Sequence, residues 1–164
     1  MTVRRATPAD VDAVRTVARE SWETDYPSIL SRESVESGVD EWYDPDRVRA
    51  ALGADDELLR VAERDGAVVG FAHGLVDGEG GSGHVLRLYV RPDARGEGVG
   101  GRLLERVRDE LFDRGVGRIH AMVLADNDPG NEFYRSFGFE LVERAETTIG
   151  GESYPENRYV LERP

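Results

Sequence analysis

Hydrophobic positions along the chain switch between a helical and a strand period, and turn residues punctuate the changes. Val3 to Ala6 reads as a short strand. Thr7-Pro8-Ala9-Asp10 then opens a helix: Thr7 is an N-cap type, Pro8 suits the first turn, and Asp10 favours the positive end of the helix dipole. Val11, Val14, Val17, Ala18 and Trp22 follow at helical spacing and carry that helix to about Glu23. Between Tyr26 and Leu52 the chain is cut into short pieces by Pro27, Gly38 and Pro45. Asp44-Pro45-Asp46 starts a helix through Leu52.

From Glu57 the period becomes two. Leu58 to Glu63 and Ala67 to Ala72 flank Arg64-Asp65-Gly66, and Asp-Gly between β-rich runs predicts a hairpin, because Gly tolerates the positive φ of a tight turn. A glycine-rich loop, Asp77 to Gly83, leads to a strand from His84 to Val90. A helix follows from Val99 to about Arg114, with Leu103, Leu104, Val107, Leu111 and Phe112 on its apolar side and Gly115 as its stop. Arg118 to Leu124 is the next strand, Asn131 to Phe137 a short helix, and Glu140 to Thr148 and Ser153 to Leu161 the last two strands. The order β-α-α-β-β-β-α-β-α-β-β places antiparallel hairpins around one β-α-β unit. That pattern predicts an α+β sheet domain rather than an open parallel fold.

Composition narrows the function classes. A chain of 164 residues suits one domain around one core, and 39% hydrophobic content is lean but globular. No apolar run approaches the roughly 18 residues that span a bilayer, and Met1 to Arg5 lacks the apolar segment of a signal peptide. A cytoplasmic protein with no membrane partner is expected. The absence of Cys excludes a disulfide framework, a thiolate nucleophile and cysteine-ligated metals. His73, His84 and His120 show no ligand spacing, so no metal is expected. With 21 basic and 33 acidic residues the net charge is −12, which disfavours nucleic acid as a partner. Every basic residue is Arg and none is Lys. Abundant acids with Arg in place of Lys resemble proteins of salt-loving archaea, in which salt screens carboxylate repulsion; a GC-rich genome with an acidic proteome is the plainer alternative.

Against that charge, one segment is built for an anion. In Val90-Arg91-Pro92-Asp93-Ala94-Arg95-Gly96-Glu97-Gly98-Val99-Gly100-Gly101 a strand ends, the backbone turns through glycines and a helix begins. Helix N-termini leave N–H groups unpaired and partly positive, and glycines let a phosphate approach them. Arg95 adds a charge-assisted contact in this reading. Gly96-x-Gly98-x-x-Gly101 also matches the dinucleotide fingerprint. Five residues, Arg91 to Arg95, intervene between strand and first glycine, however, and no acid ends a strand at the expected offset of about 20 residues. A P-loop needs a Lys, which the chain lacks.

A second segment, Asn127-Asp128-Pro129-Gly130-Asn131-Glu132-Phe133-Tyr134-Arg135-Ser136-Phe137-Gly138-Phe139, puts a phenol, Tyr134, on a short helix just after a strand. Together the two segments resemble the GCN5-related N-acetyltransferase (GNAT) family: Arg95 to Gly100 is similar to its R/Q-x-x-G-x-G/A loop, and Asn127 to Phe139 to its N-x-x-A-x-x-F-Y-x-x-x-G-F element. Leu88 to Pro92 looks like the strand before that loop, and Ser21-Trp22-x-x-x-Tyr26 like the first-helix region, so the resemblance covers most of the chain. Gly130 departs from the usual Ala, a change that loosens the helix start by about 1 kcal/mol.

The resemblance implies a mixed sheet of six or seven strands splayed at the fourth, flanked by about four helices. It implies acetyl-CoA as cosubstrate, held by Leu88, Tyr89, Val90, Arg95, Gly96, Glu97, Gly98, Val99, Gly100, Gly101 and Asn127, with Tyr134 near its sulfur as general acid. The acetyl group would pass directly to a primary amine on a small molecule, amino acid or peptide N-terminus. Trp22 and Tyr26, with Trp42 and Tyr43, lie in the region that lines the acceptor cleft in the family; stacking or cation–π contact with the acceptor and plain core filling are both open. His84 is the first candidate base, with His73, Glu20, Glu23 and a bulk-water route beside it. A catalytically silent acyl-CoA sensor would share the loop, and Tyr134 argues against it. Dimers are common in the family, so a homodimer is compatible with the resemblance.

Overall fold

A computed structural model of the chain describes residues 1–26, 29–78 and 81–164. The Pro27 break and the Glu79-Gly80 part of the glycine loop lie outside the described residues. The elements are β1 (Thr2–Arg5), α1 (Val11–Asp25), α2 (Arg32–Trp42), α3 (Pro45–Gly53), β2 (Glu57–Arg64), β3 (Ala67–Val76), β4 (Ser82–Val90), α4 (Val99–Asp113), β5 (Arg118–Leu124), α5 (Asp128–Ser136), β6 (Glu140–Ile149) and β7 (Glu152–Glu162), with short 3-10 turns at Pro8–Asp10 and Pro92–Ala94.

The sheet is mixed, in the order β1-β2-β3-β4-β5-β7-β6. Only β4 and β5 run parallel; the other neighbours are antiparallel. Asp65 and Gly66, both at positive φ, turn the predicted β2–β3 hairpin. The α+β expectation therefore holds, with one more helix than the sequence pattern gave. That helix is α2. Gly38, read as a break, lies inside it because the Trp22 ring packs there: a Cβ at Gly38 would stand 2.4 Å from Trp22 Cζ3. Ser31 caps the helix by accepting the Ser34 N–H at 3.1 Å.

Each face of the sheet carries its own apolar cluster. Leu103, Leu104, Val107 and Leu111 of α4 pack with Tyr134 of α5 on one face. Val14, Val17, Ala18 and Trp22 of α1 pack with Val35 and Val39 of α2 and Val48 of α3 on the other. At about 25 cal/mol per Å², burial of such side chains contributes roughly 1.5–3 kcal/mol apiece before entropy is charged against it. Arg60 of β2 ties the sheet to α4 through two hydrogen bonds to Glu110, at 2.7 and 2.8 Å.

One irregularity positions the site. β4 pairs with β5 only from Ser82 to Val85, against Arg118 to Ala121. On its other side, Val85 pairs with Gly74 and Arg87 with His73, so Leu86 is an extra residue with no partner in the ladder. Such a bulge bends and twists the strand that carries it. β4 diverges from β5 just there, leaving Leu86 to Val90 without a β5 partner.

Candidate active site

The splay opens a cleft of about 860 Å³ through the sheet. Its walls include Leu88, Tyr89 and Val90 of β4, the turn residues Arg95, Gly96 and Gly98, Val99, Gly100 and Gly101 of α4, and Asn127 and Tyr134 at α5. The structure thus gathers the two sequence motifs, 26 or more residues apart along the chain by the difference 127 − 101, onto one cavity.

The α4 N-terminus is unlike those of α2, α3 and α5, and unlike α1 it does not continue a 3-10 turn. α2, α3 and α5 are capped by Ser31, Asp44 and Asn127 side chains. Gly98 caps α4 with no side chain, at φ 83°, and the first turn holds no acid. The first intrahelical N–H is that of Arg102, which bonds to the Gly98 carbonyl at 3.1 Å. The N–H groups of Val99, Gly100 and Gly101 precede it and have no carbonyl one turn back. Gly96, at φ 79°, and Gly98 have open space where a Cβ would stand. A residue with a side chain would be strained at both positions and would cover the donors.

Arg95 does not point its charge into free space. Its Nη2 donates to Asp25 Oδ2 at 2.9 Å and its Nε to the Val90 carbonyl at 3.1 Å, so it ties the turn to the end of α1 and to β4. Ser21 Oγ donates to the same carbonyl at 3.3 Å. Arg95 makes this brace while still lining the cleft. Glu97 pairs with Arg64 and is not among the cleft walls.

Tyr134 lies in the first apolar cluster, edge-on to Phe133 and Phe139, yet lines the cleft. Burial pushes its phenol well above the ordinary pKa, with the neighbouring Tyr89 phenol adding to the shift, so the hydroxyl stays protonated. Asn127 Oδ1 accepts the Gly130 N–H at 3.2 Å. A Cβ on residue 130 would stand 2.6 Å from Asn127 Nδ2 and 3.1 Å from Val123 Cγ1, so Gly130 lets this cap close tightly over the helix start. The loosening expected from Gly is offset locally.

Trp22 and Tyr26 are 1% and 6% exposed: they belong to the second cluster and reach the cleft by an edge. Tyr26 and Tyr89 hydroxyls lie 3.2 Å apart. The aromatic faces of Trp42 and Tyr43 are taken by Arg87, whose guanidinium carbon sits 5.2 and 5.4 Å from the two ring centroids. Arg87 thus supplies an internal cation to Trp42 and Tyr43, while Trp22, Tyr26 and Trp42 remain on the cleft wall.

The candidate bases fall elsewhere. His84 precedes the bulge, stacks on His120 at 5.0 Å and does not line the cleft. Burial lowers the pKa of both rings. His73 is bonded to Glu57 at 2.8 Å beside a separate cavity of about 370 Å³. Glu20 and Glu23 are exposed on α1, outside the cleft. A carboxylate that the sequence reading missed does line it: Glu156 of β7, half-buried and pushed above its ordinary pKa by burial. The sequence signal was a single acid in Tyr154-Pro155-Glu156-Asn157, inside a strand flanked on both sides in the sheet. Among the described residues, no His, Asp or Glu group has metal-ligating geometry.

Comparison with known proteins agrees with this geometry. The profile of the Acetyltransferase (GNAT) family matches residues 14–139. An acetyltransferase of Pectobacterium atrosepticum is 38% identical over 103 residues, covering 62% of this chain and 72% of that protein. The PaiA N-acetyltransferase of Thermoplasma acidophilum, solved in complex with coenzyme A, superposes with a TM-score of 0.82 at 26% identity, over 96% of this chain and 98% of that one. A GCN5-related N-acetyltransferase of Rhodopseudomonas palustris gives a TM-score of 0.84 at 25% identity, over 99% and 95% of the two chains. The chain belongs to the GNAT family of acetyltransferases.

Proposed function

We propose that the protein transfers an acetyl group from acetyl-CoA to a primary amine in a ternary complex, with Tyr134 as the proton donor to the leaving thiolate. The observation that carries this reading is the uncapped, glycine-lined start of α4, which opens on the same cleft as the unpaired edge of β4. The two features fit the two chemical halves of the cosubstrate. Bare N–H groups at a helix N-terminus suit a diphosphate, and a strand edge without a partner suits an amide-bearing arm that adds to it like a strand. The residues in question are Gly96, Gly98, Val99, Gly100 and Gly101 for the first and Leu88, Tyr89 and Val90 for the second, with Asn127 beside them.

Bound acetyl-CoA supplies an acyl carbon activated as a thioester. Tyr134 stands at the wall of the cleft with its phenol held neutral by burial, which makes it a proton donor rather than a base. Phe133 and Val99 add apolar surface to that wall, and an apolar surround strengthens a polar contact made beside it. Arg95, bound to Asp25 and Val90, fixes the turn against α1 and β4 so that the donors hold still.

An acceptor screen reading thiol release from acetyl-CoA, run beside calorimetry of acetyl-CoA binding, tests this. Binding together with release on addition of an amine is the expected result. Binding with no release by any amine leaves an acyl-CoA-binding protein without transfer. Tyr134→Phe is expected to lower kcat by about 100-fold or more while the acetyl-CoA Kd moves by less than about threefold. Unchanged turnover in that variant removes Tyr134 from the chemistry.

A further inference from the structure

Glu156 occupies a position with no structural use for a charge. It pairs across the sheet with Leu124 of β5 and Ala145 of β6, both apolar. Asn157 and Tyr159, its neighbours along β7, donate to Asn131 of α5, at 2.9 and 2.6 Å. Side chains alternate along a strand, so Glu156 projects to the opposite face, the one covered by α1 and α2. Leu124, its direct partner, packs there with Trp22, Tyr26 and Ile149.

This places Glu156 across the cleft from the α4 donors. β5 forms one lip of the splay, and β7 lies one strand further, roughly 4.8 Å away. Asn127 and Tyr134 approach from the α5 side, and Glu156, Trp22, Tyr26, Ile149 and Trp42 from the α1–α2 side. Of the other cleft carboxylates, Asp25 is bound to Arg95, and Asp126 and Asp128 are exposed at the start of α5. Glu156 and Asp25 are both half-buried, but only Asp25 has a partner: among the described residues the Glu156 side chain makes no ion pair or hydrogen bond.

The charged and titratable groups near it are otherwise engaged. Arg158, on the same face of β7, is held by Glu143 of β6 at 2.7 Å. From β4, Arg87 lies on the Trp42 and Tyr43 rings. From α1, Asp25 is tied to Arg95, and Tyr26 meets the Tyr89 hydroxyl of β4. β5 offers Leu124 and Met122 on this face and, further along it, His120, whose ring stacks on His84.

We infer that Glu156 receives the ammonium group of the acceptor and takes its proton, so that the acceptors are primary alkylammonium compounds entering from the α1–α2 face. This rests on the acetyl-transfer reading above and names its substrate class and base. An alkylamine of pKa about 10 is neutral in only about one molecule in a thousand near pH 7. Glu156 carboxylate accepts one N–H proton, giving a neutral amine and a carboxylic acid that returns the proton to solvent. The nitrogen lone pair then forms the C–N bond as the C–S bond breaks, and the leaving sulfur takes the Tyr134 proton. The nitrogen's remaining surplus proton restores the phenol. The balance is ammonium plus thioester giving amide, thiol and one released proton. The raised pKa of Glu156, due to burial alone, places the carboxylate nearer to neutrality than an exposed acid, as a base working near pH 7 requires.

Glu156→Gln tests the inference, with spermidine and tyramine as alkylamine probes and aniline, neutral near pH 7, as the probe that needs no deprotonation. The variant is expected to bind acetyl-CoA as the parent does and to lose about 100-fold in kcat/KM for the alkylamines. Its deficit should shrink as pH approaches the amine pKa of about 10, where solvent supplies the neutral amine. Aniline turnover should change far less. The melting temperature above neutral pH should stay level or rise: a carboxyl whose folded pKa is raised costs stability as pH climbs through that value, and Gln removes the cost. A drop in melting temperature with uniform loss on all three probes marks a structural residue and overturns the inference. So does alkylamine turnover within about threefold of the parent, or a parent protein that binds acetyl-CoA and acetylates neither alkylamine. Absence of acetyl-CoA binding by the parent instead defeats the acetyl-transfer reading itself.

Discussion

Asn131 holds three separate elements together from a position 3% exposed. Its Nδ2 donates to the carbonyls of Asn127, Leu124 and Ala125, and its Oδ1 accepts from Asn157 and Tyr159. A buried polar group left without its partner costs about 1–3 kcal/mol. Asn131→Ala strands the Asn157 amide and the Tyr159 hydroxyl together, so denaturant unfolding should report a loss of about 2–4 kcal/mol. Because Tyr134 lies about one turn further along α5, turnover should fall as well, beyond what the unfolded fraction explains. Asn131→Asp keeps the acceptor oxygens and loses the donor, and it should still be strongly destabilised because it buries a charge. Near-native stability in the Ala variant would mean that water replaces the side chain at no cost. From sequence alone, Asn131 read only as the start of a helix, because a polar residue's partners lie in strands far along the chain.

Elements were more legible than the contacts between them. The hairpin at Asp65-Gly66, the α4 stripe and the loop before it were all set by local chemistry: turn residues, a helical period, glycines at positive φ. The α2 helix was missed because Gly38 has poor helical propensity, roughly 1 kcal/mol below Ala, and only the Trp22 ring lying against it shows why Gly is there. The bulge at Leu86 left no mark in the run Gly83 to Val90, since it arises from register with β3. For the same reason the sequence placed His84 near the site by its strand and missed Glu156, whose location depends on which strands are neighbours. The bond between β2 and α4 is equally non-local. Burial alone would raise the Glu110 pKa, but hydrogen bonds and charge from Arg60 and Arg106 outweigh it and the carboxyl sits below its ordinary value. A depressed carboxyl stabilises the fold above its unfolded pKa and loses that contribution as pH falls through the folded value. Glu110→Gln leaves Arg60 charged and nearly buried, and should cost about 3 kcal/mol at neutral pH. The gap in melting temperature between parent and variant should then close as pH drops below about 4.5, the ordinary value for Glu. A gap constant across that range would assign the loss to packing rather than charge.

At the scale of the whole molecule, a net charge of −12 opposes the approach of an anionic cosubstrate. A lysine-rich phosphate site would answer with local cations, and its affinity would decline with salt as those contacts were screened. This chain has no Lys, and the two Arg residues of the turn, Arg91 and Arg95, are paired with Asp93 and Asp25. What remains at the α4 mouth is backbone: N–H dipoles at contact distance, which salt screens poorly, set within a long-range negative field, which salt screens well. The two terms therefore respond to ionic strength in opposite ways. Raising KCl from about 0.1 to 1 M shortens the Debye length from roughly 10 to 3 Å; this removes the repulsion and leaves the local contacts. Calorimetric titration of acetyl-CoA should accordingly give a Kd that holds level or tightens across that range. Glu156→Gln, lying across the cleft from the donors, should follow the same trend. Opposition comes from a Kd that weakens about tenfold or more with salt, the behaviour of a site held by cation–phosphate pairs; the glycine turn would then not be what grips the ligand. A level or tightening affinity also fits a composition of abundant carboxylates with Arg in place of Lys, because a site made of main-chain donors works unchanged in water crowded with ions.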